Sequence, residues 1–252
     1  MTEQTVVTHM RNFDMPTHSQ SLHKEYTSVE WTEGGYFQAV LEYLQEKEIA
    51  SFMDVGGCTG EVSNILLENI PAIENGVIFE PQPENYQYIV NNVKSDKVLV
   101  ENKALFYGEE YLELSVRDSN VGSWSILFGQ QYPGNSVKVK CADIDDYLKE
   151  KKYDFIKIDI EGAEYNLFQN SKLLKEVDFL EIELHHEHFD IYKSQHPEAD
   201  LSQYVRSEGG ALKYTMDYFS DHELHYFMSG ESEQQQKNPG NVFLVHKRCL
   251  TN

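Results

Sequence analysis

The chain has 252 residues, 40% hydrophobic and 12% aromatic, which suits one substantial core and excludes a disordered chain. Its formal net charge of -21 repels polyanions, so nucleic acid and anionic membrane are excluded as main partners and a neutral or cationic small substrate is easier to accept. Cys58, Cys141 and Cys249 lack paired metal spacing, and no apolar run has signal-peptide or membrane-spanning length, so reduced thiols and a cytoplasmic location are expected.

Residues 1–35 are polar, with scattered His9, His18 and His23 and no sustained period, and read equally as an arm or lid and as a disordered tail. From Tyr36 the residues Phe37, Val40, Leu41 and Leu44 fall at helical spacing, which opens a single domain over 36–252. Phe52-Met53 begins a buried strand, and three glycines follow. Val62, Ile65 and Leu66 then continue at helical period, and Val77-Ile78-Phe79 forms a short strand ending in Glu80. A second helix is expected through Tyr86, Ile89, Val90 and Val93, a strand at Val98-Leu99-Val100, and a hairpin strand from Tyr111 to Val116.

Beyond it, Ser136 to Lys140 alternates as a strand and Asp145 to Leu148 starts a short helix. The two strongest strands are Phe155 to Ile160 and Val177 to Leu184, separated by a helix around Glu164 to Leu174. Glu223 to Met228 and Val242 to His246 read as an antiparallel pair. Strands alternating with helices imply a mostly parallel α/β sheet.

The glycines Gly56, Gly57 and Gly60 do not meet the G-x-G-x-x-G spacing of a dinucleotide loop. Asp54 stands at the loop's mouth, where a carboxylate repels a pyrophosphate but favours an ammonium and a sulfonium. The loop therefore suits a cationic nucleoside such as S-adenosylmethionine. Glu80, at the end of the next strand, is placed to take both hydroxyls of a ribose. Taken singly, Asp54 could be a turn acid and Glu80 a solvent-facing carboxylate. Together, at the carboxyl ends of parallel strands, they mark a nucleoside site.

Three blocks, Asp54-Val-Gly-Gly-Cys-Thr-Gly-Glu-Val-Ser63, Phe79-Glu-Pro-Gln-Pro-Glu-Asn85 with Asn91-Asn92, and Asp154-Phe-Ile-Lys-Ile-Asp-Ile-Glu-Gly-Ala-Glu164, resemble the FkbM-type methyltransferases in content and order. The resemblance covers about 52–188. It implies a Rossmann-like class I methyltransferase fold, a seven-stranded sheet with an antiparallel last strand, and binding of S-adenosylmethionine over the first strands. Gly57 departs from the alanine common in the family, and the change reads as conservative. Asn85, Ala104 and Ser123 join Asp54, Gly56, Gly57, Gly60, Glu80 and Asp159 as expected cofactor contacts. Residues 1–35 and 189–240 match poorly, and the acceptor is expected to be read there.

Methyl transfer needs alignment, plus a base when the acceptor is a hydroxyl or an amide. The candidates are Asp159, Glu161 and Glu164 after the fourth core strand, with Glu161 and Glu164 three apart and able to share a helix face, and Glu183 and His185 at the end of the fifth. Asp159 could instead be a helix cap. Continued as a strand, Glu181, Glu183, His185 and Glu187 would share one face, with Ile182, Leu184, His186 and His188 on the other. Asp159, Glu161, Glu183 and His185 could also hold Mg²⁺ or Mn²⁺, as some sugar methyltransferases of the wider fold do.

The expected function is an S-adenosylmethionine-dependent methyltransferase acting on the hydroxyl of a sugar or natural product. The alternatives are an amide or amine acceptor such as a peptide side chain, and a non-catalytic nucleoside-binding protein. The partner is a small-molecule, glycan or peptide acceptor, and a homodimer is left open.

Overall fold

The computed structural model describes residues 24–26, 36–116, 124–125, 136–228 and 238–250. Its elements are β1 (Lys24–Tyr26), α1 (Tyr36–Gln45), β2 (Ser51–Val55), α2 (Glu61–Asn69), β3 (Asn75–Phe79), α3 (Pro83–Asn92), β4 (Val98–Glu101), β5 (Ala104–Leu105), β6 (Tyr111–Val116) and β7 (Trp124–Ser125). They continue with β8 (Ser136–Ala142), α4 (Ile144–Glu150), β9 (Phe155–Ile158), α5 (Glu164–Asn170), β10 (Phe179–Glu183), α6 (His186–Gln195), α7 (Gly210–Tyr218), β11 (His222–Met228) and β12 (Asn241–His246).

The main sheet has the order β1-β11-β12-β10-β9-β2-β3-β4. Strands β2, β3, β4, β9 and β10 run parallel, and β12 lies antiparallel between β10 and β11. These seven strands are the expected core. The eighth, β1, pairs in parallel with β11 and comes from the segment read as an arm.

Alternation along each strand builds two apolar layers. Met53, Val55, Val77, Phe79, Ile156, Ile158, Leu180 and Ile182 pack on one face with Ile144, Tyr165, Phe168 and Phe189 of α4, α5 and α6. Phe52, Ile78, Phe155, Phe179 and Phe243 pack on the other with Val40 and Leu44 of α1, Leu66 of α2 and Ile89 of α3. Phe52, Phe155 and Phe243 are wholly buried, each contributing about 1.5–3 kcal/mol relative to exposure. Parallel strands under helices on both faces leave their carboxyl ends open as a binding edge.

Local sequence fixes the entry to α3. Pro83 takes the first turn, where its missing N–H costs nothing, and the Gln82 side chain accepts from the Asn85 amide. A second sheet, β5-β8-β6-β7, is inserted between β4 and α4. It brings Leu105 and Leu114 to the open edge.

One expectation fails here. The strand through 181–188 stops at Glu183, and α6 begins at His186. Phe189 and Tyr192 are buried at helical spacing, and burying both needs a helix, so the strand period cannot continue.

Candidate active site

The glycine loop is held by its own backbone. The amides of Gly56 and Gly57 both donate to the carbonyl of Phe79, at 2.9 and 3.0 Å. Gly56 has φ 88°, and a Cβ there would lie 1.8 Å from the Asp159 carbonyl oxygen, so only glycine lets this loop pass the end of β9. At Gly57 a Cβ would lie 2.3 Å from Cγ2 of Ile78. Alanine at this place, which reads from sequence as a conservative exchange, has no room while Ile78 stays where it is.

Glu80 follows β3 and is 5% exposed. Its two oxygens accept the amides of Cys58 and Gln82, each at 2.8 Å, so the carboxylate is fixed with acceptor capacity to spare. Burial pushes it up to about 7, against those two hydrogen bonds, which favour the charged form.

Glu80 opens onto a cleft of about 780 Å³ that includes open solvent. Gly56 and Cys58 of the loop line it, with Glu80 and Asn85 beyond β3, Lys103 and Ala104 near β5, and Asp159 and Glu161 beyond β9. Phe106 and Leu114 form an apolar wall on the side of the second sheet.

Beneath the cleft runs a row of buried charge. Asp54, Lys157 and Glu181 are register partners on β2, β9 and β10, so their side chains share the face covered by α1, α2 and α3. Asp54 Oδ2 accepts the Ser63 hydroxyl at 2.6 Å, and Oδ1 has no hydrogen-bond partner among the described residues. Burial raises Asp54 and pushes Glu181 up to about 7, in both cases partly offset by Lys157. Asn241 donates to Glu181 at 2.9 Å. Burial alone would lower Lys157, but Asp159 and Asp54 outweigh it and hold the ammonium charged.

Lys157 Nζ reaches Asp159 Oδ2 at 3.1 Å. Burial alone would raise Asp159, yet Lys157 and then His185 outweigh it, so Asp159 sits below the usual carboxylate range. Burial, followed by the Asp159 charge, pushes Glu183 up to about 8. His185 Nε2 lies 3.4 Å from Glu161 Oε2 and 3.8 Å from Glu183 Oε1. Burial would lower His185, but Glu164 and then Glu183 outweigh it and push it up to about 10. Glu161 is a non-glycine residue at φ 53°, a strained conformation of the kind that clusters at functional sites.

The methyltransferase FkbM domain family matches residues 54–222, about two thirds of the sequence. The chain belongs to this family. The sheet order described above is accordingly that of the class I methyltransferase fold. No curated protein matches the sequence.

Among solved structures, the FkbM methyltransferase from Methylobacillus flagellatus is 16% identical, with a TM-score of 0.49 over 79% of this chain and 44% of its own. The present chain thus spans less than half the length of that protein. The plantazolicin methyltransferase BpumL, in complex with SAH, is 14% identical, with a TM-score of 0.45 over 84% of this chain and 82% of its own. Streptococcus pneumoniae Sp1610, in complex with S-adenosyl-L-methionine, is 13% identical, with a TM-score of 0.42 over 82% and 72%.

Of the residues expected to contact the cofactor, Gly56, Glu80, Asn85, Ala104 and Asp159 line the FkbM-family cleft. Asp54 lies beneath it, and Gly57 faces Ile78. Gly60 is the N-cap of α2. Ser123 lies outside the described residues. Asp159, Glu161, Glu183 and His185 do come together, although His185 arrives as the N-cap of α6 rather than on a strand. Segment 189–240 contributes no residue to the cleft lining among the described residues, whereas the second sheet does. Sequence reading missed Lys157, and it placed Glu164 among the acids after β9 without its tie to His185. A lysine inside the apolar run Phe155 to Ile158 was the available signal, since a buried charge must be paired.

Proposed function

We propose that the chain is an S-adenosylmethionine-dependent methyltransferase that methylates a hydroxyl of a sugar or natural product. The observation that carries the reading is one cleft lined both by Glu80, a fixed carboxylate after β3, and by Asp159, a carboxylate after β9 held ionised by Lys157. Two carboxylates lining one cleft fit a ribose at Glu80 and a positively charged methionine group near Asp159. S-adenosylmethionine supplies a methyl group on a sulfonium, ready for in-line displacement.

The chain's own residues do the rest. Glu80 accepts the ribose hydroxyls, Asn85 and Ala104 border the nucleoside, and Asp159 with the buried charge of Asp54 favours the cationic end. Glu183, partly exposed at the end of β10, is pushed up to about 8, and it is its ionised form, which gains as pH rises through that value, that receives the acceptor proton as the acceptor oxygen takes the methyl group. His185 does not fit a base, because its surrounding carboxylates keep it protonated.

Asp159, Glu161 and His185 also offer ligand atoms within 4.8 Å of one another. Two carboxylates and an imidazole are a donor set for a divalent cation, with the nitrogen favouring Mn²⁺ over Mg²⁺. Such an ion would acidify an acceptor hydroxyl.

Incubation with labelled S-adenosylmethionine and a panel of hydroxyl-bearing and amine-bearing acceptors tests the reading. Label on hydroxyl acceptors, lost in Glu183→Gln with cofactor affinity intact, supports it. Label confined to amines would replace it with N-methylation.

A further inference from the structure

Glu164 is wholly buried in the first turn of α5. Oε2 accepts the Gly162 amide at 2.8 Å, and Oε1 accepts the His185 amide at 3.0 Å. Oε1 also lies 3.2 Å from His185 Nδ1. One side chain thus ties the loop after β9, which carries Asp159 and Glu161, to the turn after β10, which carries His185.

Both Glu164 oxygens already accept backbone donors, so the carboxylate acts as an acceptor and the proton between it and His185 belongs on Nδ1. In the unliganded protein the surrounding carboxylates keep the ring protonated, and a cation taken at Nε2 would displace that proton while Nδ1–H stays on Glu164. Nε2 faces Glu161 Oε2 at 3.4 Å, so the nitrogen and that carboxylate point into the same space. His188 stacks on the ring at 5.4 Å and 13°, which fixes its plane.

We propose that Glu164 is a positioning residue for a divalent cation: it sets the His185 tautomer and holds His185 against Asp159 and Glu161 so that the three can ligate one ion. The inference rests on the cation reading of this cleft and adds the outer carboxylate to it. Metal-bound histidines commonly donate their second ring N–H to a carboxylate, and loss of that partner costs 10- to 100-fold in metal affinity. In Glu164→Gln one oxygen becomes an amide N–H₂, which cannot accept both from Gly162 and from the ring.

The test measures Mn²⁺ binding by electron paramagnetic resonance and S-adenosylmethionine binding by calorimetry on the whole chain. Wild type should bind Mn²⁺, Glu164→Gln should bind it about 10- to 100-fold more weakly, and cofactor affinity should stay within about twofold. Glu164→Asp, whose shorter carboxylate withdraws from Nδ1, should also lose Mn²⁺ affinity and serves where the glutamine variant does not fold. Equal Mn²⁺ binding by wild type and a folded variant would overturn the role of Glu164 while leaving the cation site standing. Absence of Mn²⁺ binding by wild type would overturn both.

Discussion

The Lys157 ammonium lies 3.1 Å from Asp159 Oδ2 while the lysine is 3% exposed, so the acid that lines the cleft is held from below by a charge that never meets water. Lys157 also serves Asp54 and Glu181, its register partners on either side. Removing it leaves buried acids without their cation, a change that costs about 3–5 kcal/mol. Lys157→Met is therefore expected to lower the urea midpoint sharply and to weaken S-adenosylmethionine binding. A loss below about 1 kcal/mol would show that the row is not held by this ion pair.

Gly57 and Ile78 are predicted to be coupled. A Cβ at residue 57 would overlap Ile78 Cγ2, so Gly57→Ala should destabilise by about 1–3 kcal/mol. Ile78→Ala opens that space, and the double variant should lose less than the sum of the two single losses, by about 1–2 kcal/mol. Strict additivity in denaturant unfolding would contradict the overlap.

Cofactor affinity should depend on pH through Glu80, which burial raises to about 7. The carboxylate accepts ribose hydroxyls better than the acid does, so affinity should rise about tenfold between roughly pH 6 and pH 8 and then level off. Stability of the unliganded fold runs the other way. The Glu80 contribution is greatest below the ordinary glutamate value and is lost as pH rises through about 7, because the fold disfavours the ionised form. Calorimetry at several pH values reads the first effect, and Glu80→Gln should flatten it; an unchanged slope in that variant would assign the titration elsewhere.

Much of this architecture was legible in the sequence because strands β2, β3, β9 and β10 are short apolar runs between helices of clear period. Glu80 and Asp159 were legible because parallel strands place their following residues at the binding edge. The acid and histidine run after β10 was misread as a continuing strand, since alternation of Glu181, Glu183 and His185 hid the helical spacing of Phe189 and Tyr192. Strand β5 is two residues long, too short to give a pattern. Glu164 meets His185, a residue 21 positions away, and no local pattern reports that contact. Gly57 looked interchangeable with alanine for the same reason: its constraint comes from Ile78, on the neighbouring strand.

The most direct test is calorimetry of the whole chain with S-adenosylmethionine, NAD and UDP-sugars, repeated with Glu80→Ala. The cleft between Glu80 and Asp159 predicts binding of S-adenosylmethionine alone, weakened in the variant. Binding of NAD or a UDP-sugar with none of S-adenosylmethionine, or unchanged S-adenosylmethionine affinity in Glu80→Ala, would contradict it.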